Sequence, residues 1–344
     1  MATMFTRHAS RVTNMVLVGH QGMLAGAVRR EAPEGWTVTG FDLPEFDLTD
    51  RDQVLQTLTD TGPDVIINCA AFTDVDGCED REELATRVNG DGPGYLAEAA
   101  RETGATLVHI STDYVFDGAK GTPYTEDDRP APQSAYGRSK RAGEQAILAS
   151  GLEQFFILRT SWLYGPGGRN FVETMVRLAR ERDELRVVAD QVGNPTYTED
   201  LARGIFNLLA LPPVTHHDSA GQRHRTLRQQ RPQGEPQEGA SDASPVTVLP
   251  ITSYESRPFY GLYHFANEGS CSWHGFAEAI ISELRQRETV KVQAIRPITT
   301  EEYSLPARRP AYSVFSKEKY KTATGAAVPE WQDGLARYFG LRDA

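Results

Sequence analysis

The sequence predicts an α/β fold, a doubly wound parallel sheet, and three observations carry that prediction. Short apolar runs at 15–19, 36–41, 64–69 and 107–111 alternate with stretches of helical pattern. These runs are apolar nearly throughout rather than at every second residue, as strands are when helices cover both faces of a sheet. A glycine-rich turn follows the first run at once, where a strand hands over to a helix.

The first run, MVLVG, passes into HQGMLAGAVRR, with the glycines spaced Gly19-x-x-Gly22-x-x-Ala25 and Gly26 next. A strand, a glycine turn and a helix N-terminus set main-chain N–H groups against a pyrophosphate, so this unit is expected to bind a dinucleotide. The second run ends in Asp42, about 20 residues past the first glycine, where a carboxylate would accept hydrogen bonds from the adenosine ribose. Asp42 would repel a 2′-phosphate and favour NADH, unless Arg29 and Arg30 reach that position and offset it. After a helical stretch at 50–61 the third run, DVIIN, leads into Cys69, Ala70 and Ala71, small enough for a flat cofactor to lie across the strand end. A helix is expected over 79–104, carrying Asn89.

The fourth run, LVHI, delivers the hydroxyls of Ser111 and Thr112 at its C-terminal end. The next helix carries Tyr136 and Lys140, four residues apart and therefore on one face. A phenol, an ammonium and a hydroxyl brought together can deliver a proton to a carbonyl. Lys140 would favour phenolate and lower the Tyr136 pKa from about 10; Thr112 would hydrogen-bond the oxygen that gains charge. Gly22, Asp42, Ala71 and Thr112 all fall at C-terminal strand ends, where ligands of such sheets bind.

Beyond 150 the pattern predicts a buried strand at 155–159, a loop TSWLYGPGGRN suited to a sugar or base, and helices at 171–182 and from 198. The stretch 212–258 is loaded with Gln, Arg, Gly, Pro, Ser and His and is expected to be a disordered insertion. Order resumes with a strand at 261, a helix capped by Ser272, an Arg/Pro loop at 306–313 and a terminal helix at 331–339.

Bulk properties bound the function. A formal charge of −11 argues against non-specific nucleic-acid binding. Cys69, Cys78 and Cys271 show neither metal-ligand spacing nor a disulfide framework, which points to a reducing compartment, the cytoplasm. No run is long enough to cross a bilayer. The opening residues lack an apolar h-region, so 1–13 reads as a flexible extension rather than a secretory signal.

The motifs STDYVFDG (111–118), TSWLYG (160–165), NF (170–171), DQVGNPT (190–196) with DLA (200–202), and RRP (308–310) resemble those of the dTDP-4-dehydrorhamnose reductases, in the extended short-chain dehydrogenase/reductase superfamily. The resemblance covers most of 14–344 apart from 212–258. It implies a Rossmann-type NAD(P)-binding domain, mainly 14–160, with closing elements and a smaller C-terminal substrate-binding lobe in 161–344. It implies reduction of the 4-keto group of dTDP-4-dehydro-L-rhamnose to dTDP-L-rhamnose by NADPH or NADH. Matched position by position, Tyr136 would donate the proton, Lys140 would hold the nicotinamide ribose, and Thr112 would complete the site. Gly22, Met23, Leu24, Asp42, Asp47, Leu48, Ala71, Phe72 and Thr73, beside the Gly19 turn and Ala70, would line the cofactor. Thr112, Asp113 and Trp162 would touch the sugar nucleotide, a dTDP-linked 4-keto-6-deoxyhexose.

This chain departs from the family at Met23, where Gln is frequent, and at Ala25, where a third glycine is expected. Some members hold Mg2+ at a subunit contact; its ligands are not locatable here, no protein metal ligands are assigned, and a homodimer is compatible with the resemblance. Two other readings stand beside it. One is a different sugar-nucleotide 4-ketoreductase or an epimerase, the latter without net NAD(P)H consumption. The other is a noncatalytic regulatory subunit like methionine adenosyltransferase β, against which the retention of Thr112, Tyr136 and Lys140 argues.

Overall fold

A computed structural model describes residues 12–211 and 259–342. The expected insertion at 212–258 and residues 1–11 of the expected extension lie outside the described residues.

Six parallel strands form the main sheet: β1 (Asn14–Val18), β2 (Thr37–Phe41), β3 (Val65–Asn68), β4 (Thr106–Thr112), β5 (Phe155–Thr160) and, last in the chain, the strand Gly261–His264. Their spatial order is β2-β1-β3-β4-β5 and then Gly261–His264. Register is set by pairs such as Asn14 with Thr37, Met15 with Val65 and Thr112 with Thr160. The chain leaves β1 toward β2 and returns to place β3 on the opposite side. The order therefore reverses beside β1, and a crevice opens there at the C-terminal strand ends.

The continuous apolar runs have a simple cause. Along β1, Met15 and Leu17 enter one core with Val65, Ile67 and Val108, while Val16 and Val18 enter another with Ile66, Leu107 and Ile157. Alternate side chains point to opposite faces, and both faces are covered. The first face is covered by α1 (Met23–Glu31) and a later helix at Thr198–Leu209. The second is covered by α2 (Arg51–Thr61), the helix Gly92–Thr103 and the helix Ala135–Ala149.

Between β3 and β4 the expected single helix is broken. It comprises α3 (Gly77–Asp80), α4 (Glu82–Thr86), a π-helical turn (Arg87–Asp91) and α5 (Gly92–Thr103). The wide turn carries the buried Asn89. After α6 (Ala135–Ala149) and β5 come β6 (Leu163–Tyr164), α7 (Phe171–Glu181), β7 (Glu184–Val188), β8 (Val192–Gly193), β9 (Thr196–Tyr197) and α8 (Thr198–Leu209). The sheet's sixth strand is β10 (Gly261–His264), followed by β11 (Cys271–Ser272), α9 (Trp273–Arg285), β12 (Ala294–Ile298), α10 (Glu318–Thr324) and α11 (Trp331–Arg342). Ser272 caps α9 as expected, its hydroxyl accepting from the Gly275 N–H at 3.0 Å. Helices α7, α9 and α11 share a third apolar core with β7 and β9, built on Val172, Leu185, Tyr197, Phe276 and Leu335. No helix among the described residues is long and apolar enough to cross a membrane.

Candidate active site

Strand β1 is followed by Gly19, whose φ of +75° takes the chain out of the sheet. A Cβ there would lie 2.6 Å from the Ala70 main-chain nitrogen, so only glycine lets the turns after β1 and β3 come this close. Gly22 stands at the N-cap of α1 and offers no side-chain cap, and the first turn of α1 carries no acidic residue. By contrast α2, α6, α7 and α9 are capped by Asp50, Ser134, Asn170 and Ser272. The α1 terminus thus presents main-chain donors and a positive dipole end to a cavity of about 720 Å³ that follows the strand ends.

Gly19, Gly22, Met23, Leu24, Asp42, Asp47, Leu48, Ala70, Ala71 and Thr73 line that cavity, and so do Thr112, Asp113, Tyr136, Lys140 and Trp162. Phe72 stands apart from these residues. Its ring packs with Cys78, Ala85 and Ala135 under the Arg81 guanidinium, 4.6 Å from the ring centroid, and is not part of the cavity wall. Its main chain is held by Asn89, whose Oδ1 accepts from the Phe72 N–H at 2.8 Å while Nδ2 donates to the Phe72 carbonyl at 3.1 Å. Sequence reasoning did not single out Gln21, Leu43, Val75 or Val88, which also line the cavity and are marked only by where the fold brings them.

Asp42 accepts from the main-chain N–H groups of Gln21 (3.1 Å) and Leu43 (3.0 Å), which fixes its carboxylate beside the glycine turn. Of the two arginines considered as its offset, Arg30 is engaged elsewhere, while Arg29 stays at the glycine turn. Arg30 reaches Glu199 through Nε and a terminal nitrogen at 2.9 and 2.7 Å, and Arg29 lies 3.3 Å from the His20 ring. Arg309 in the 306–313 loop is likewise committed, in a bidentate pair with Asp76 at 3.0 and 2.8 Å.

The three reactive groups are gathered. The Thr112 hydroxyl is within hydrogen-bonding reach of the Tyr136 phenol, and it also donates to Asp113 at 3.1 Å. Tyr136 stands edge-on to Tyr114, centroids 5.3 Å apart. The expected depression of its pKa does not occur. Loss of hydration around the phenol pushes it up, against the opposing hydrogen bond from Thr112. Lys140 shares the helix face but points below the phenol, donating to the Ile110 carbonyl at 2.7 Å and lying 3.3 Å from His109 Nε2. Burial brings its amine down to about 8, over the opposing pull of Glu144 and Cys69. Asp113 is pushed up to about 6 by burial, opposed by hydrogen bonds from Ser313 and Thr112.

A buried ion cluster braces this arrangement. Glu144, one turn beyond Lys140, accepts from Ser111 (2.6 Å), from Arg159 at both oxygens (2.8 Å each) and from Arg141 (2.8 Å). Burial opposes its ionisation, but Arg159, Ser111 and Arg141 together hold the carboxyl down to about 2.

Trp162 adopts φ of +46°, a region that bulky residues rarely enter. Its indole is pinned between Gly193 and the Trp273 ring, which it stacks at 3.6 Å and 9°. Trp162 lines the first cavity and Trp273 a second of about 940 Å³, walled also by Phe171, Met175, Arg182, Tyr303 and Arg308. Among the described residues no group of three His, Cys, Asp or Glu side chains could hold a metal ion.

The RmlD substrate binding domain family matches residues 13–231 and 233–341. A dTDP-4-dehydrorhamnose reductase of Burkholderia thailandensis is 36% identical over 321 residues, 92% of this chain and 95% of that protein. The spore coat polysaccharide biosynthesis protein SpsK of Bacillus subtilis is 36% identical over 334 residues, 97% of this chain and 99% of that protein. Among solved structures, dTDP-4-dehydrorhamnose reductase of Bacillus anthracis in complex with NADP aligns with a TM-score of 0.78 at 36% identity, covering 96% of this chain and 100% of the other. A UDP-glucose 4-epimerase of Thermotoga maritima, at 14% identity and a TM-score of 0.69, shares the fold.

Proposed function

The chain belongs to the RmlD substrate binding domain family, and on that premise we propose that it reduces the 4-keto group of dTDP-4-dehydro-L-rhamnose, giving dTDP-L-rhamnose at the expense of NAD(P)H. The observation that carries the reading is the Tyr136–Thr112 hydroxyl pair with Lys140 beneath it, inside a cavity that also contains the Gly19 turn and the uncapped start of α1. A nicotinamide dinucleotide fits this cavity: the α1 donors and the Gly19–Ala70 close approach suit its pyrophosphate, and Asp42 suits its ribose. When bound, that cofactor supplies the hydride.

The protein's share is proton delivery and orientation. The Tyr136 hydroxyl donates its proton to the carbonyl oxygen as the carbon is reduced, and the Thr112 hydroxyl hydrogen-bonds the same oxygen while charge develops there. The phenol holds its proton at neutral pH, and burial, by raising its pKa, makes it a weaker acid, an effect that the Thr112 hydrogen bond opposes. Trp162 and Asp113 offer an apolar ring edge and an acceptor to the sugar, and the second cavity behind Trp273 takes the nucleotide end. Asp42, with Arg30 held by Glu199, favours NADH over NADPH.

The test is loss of NAD(P)H absorbance with the dTDP-linked ketosugar. Tyr136→Phe should lower kcat by about 10²–10⁴-fold, the usual worth of a positioned general acid, with cofactor affinity unchanged. Unchanged turnover in that variant would remove Tyr136 from the mechanism. Turnover without net NAD(P)H consumption would point to an epimerase.

A further inference from the structure

Beneath Lys140 runs a buried line of polar groups whose donors and acceptors can be assigned from one end. The Ala70 main-chain N–H donates to Asn68 Oδ1 at 3.0 Å. The other arm of that amide, Nδ2, therefore faces the His109 ring, 3.1 Å from Nδ1. An amide nitrogen only donates, so His109 Nδ1 accepts and carries no proton. Burial keeps His109 neutral, with its pKa well below the ordinary value. A neutral imidazole has one N–H, and here it sits on Nε2.

Nε2 lies 3.3 Å from Lys140 Nζ. A ring N–H aimed at that nitrogen needs a lone pair, which an amine has and an ammonium lacks. Lys140 still has a proton to donate to the Ile110 carbonyl, so the neutral amine satisfies every contact in the line. The ammonium does not. Turning the ring's proton to Nδ1 sets it against Asn68 Nδ2, and flipping the amide as well sets Nδ2 against the Ala70 N–H. With a charged lysine, one donor always faces another.

We propose that Asn68 and His109 are positioning residues that disfavour the ammonium form of Lys140 and so set the pH at which the amine takes up its proton. The catalytic meaning of this inference rests on the reductase reading; its chemistry does not. The other ionisable groups facing Lys140 are Tyr136 and Glu144 on α6 and Cys69 after β3. Tyr136 and Cys69 are uncharged, their pKa values both pushed up by burial, and Glu144 is neutralised by Arg159 and Arg141. Burial outweighs the remaining pull of Glu144 and Cys69, and the amine falls to about 8. The positive charge that would stabilise a Tyr136 phenolate thus depends on protonation from solvent, and turnover falls as pH rises through the lysine's value.

The test replaces the amide that starts the line. In Asn68→Asp a carboxylate accepts from both Ala70 N–H and His109 Nδ1–H, which turns Nε2 into an acceptor for the ammonium. Asn68→Ala removes the donor to Nδ1 without adding charge. Nitrogen-15 NMR of the ligand-free protein should find His109 protonated on Nε2 in the wild type and on Nδ1 in Asn68→Asp. The alkaline limb of the kcat profile should move up by about one pH unit in Asn68→Asp, and in the same direction in Asn68→Ala. A wild-type His109 protonated on Nδ1, or an alkaline limb unmoved in both folded variants, overturns the proposal. Should the wild type fail to turn over the ketosugar, the reductase reading falls, while the tautomer in the ligand-free protein still decides this inference.

Discussion

Replacing Glu144 by Gln should destabilise the protein by about 3 kcal/mol at pH 7, and the size follows from its surroundings. The carboxyl is fully buried and held at about 2 against an ordinary value of 4.5, a difference of about 2.5 units. At 1.36 kcal/mol per unit this corresponds to about 3 kcal/mol of stability contributed by the ionised form. Breaking one partner of a buried ion pair costs a similar amount, roughly 3–5 kcal/mol, because the other charge stays behind without a counter-ion. In Glu144→Gln that stranded charge is Arg159, itself almost wholly buried beside His264. A carboxylate with a depressed pKa contributes fully above its unfolded value of 4.5, and the contribution drains away as pH falls toward 2. Urea unfolding of wild type and variant, followed by tryptophan fluorescence at pH 7 and pH 3, reads both effects. The gap should be about 3 kcal/mol at pH 7 and roughly 2 kcal/mol smaller at pH 3. A gap below about 1 kcal/mol at pH 7, or one that ignores pH, would refute the reasoning.

Three further outcomes follow from the same structure. Asp113 ionises at 3.8 in the unfolded chain and at about 6 in the folded one, so its charge costs stability increasingly as pH rises between those values; Asp113→Asn should stabilise by about 2–3 kcal/mol at pH 7 and not at all below 3.8, read by denaturation, while weakening ketosugar binding. Gly193→Ala drives a Cβ to 2.6 Å from the Trp162 ring, and should cost about 1–3 kcal/mol and raise KM for the sugar nucleotide more than for the cofactor, in steady-state kinetics. Asp42→Ser removes the charge beside the ribose with Arg30 still tied to Glu199, and the kcat/KM ratio of NADPH to NADH should rise about tenfold or more.

What could be read ahead of the structure was what short-range spacing encodes. The sheet was legible because strands buried on both faces leave uninterrupted apolar runs, as Met15 to Val18 do. The crevice was legible because Gly19, Asp42, Ala71 and Thr112 each follow such a run, and Tyr136 with Lys140 because four residues make one helical turn. Partners brought together across strands were not. His109 reads as one more member of an apolar strand, and nothing local says that its ring meets Lys140, 31 residues away. Arg309 meets Asp76 across 233 residues, an internal pair that nothing in the Arg/Pro loop's own spacing announces. The phenol's pKa was misjudged for the same reason: shared helix face gave proximity to Lys140, but burial, set by the whole fold, decided the direction. Trp162 at positive φ carries no local signal, since the indole is kept there by Gly193 and Trp273, distant in the chain.

The clamp of Asn89 on Phe72 explains how the floor of the crevice can exist. Where β3 ends, the chain must swing away from its neighbours, and a peptide leaving a ladder in a dry interior strands one donor and one acceptor. The Asn89 carboxamide has the same fork as a peptide group, so a single side chain stands in for the missing strand. Its third contact, to the Ser139 hydroxyl at 3.0 Å, ties that substitute to the helix bearing Tyr136 and Lys140. An aspartate of equal size lacks the donor, and a leucine lacks both. Widening the helix by one π turn is what points this amide inward, so an irregularity in α-helical winding, two elements away, keeps the strand end open for a flat ring.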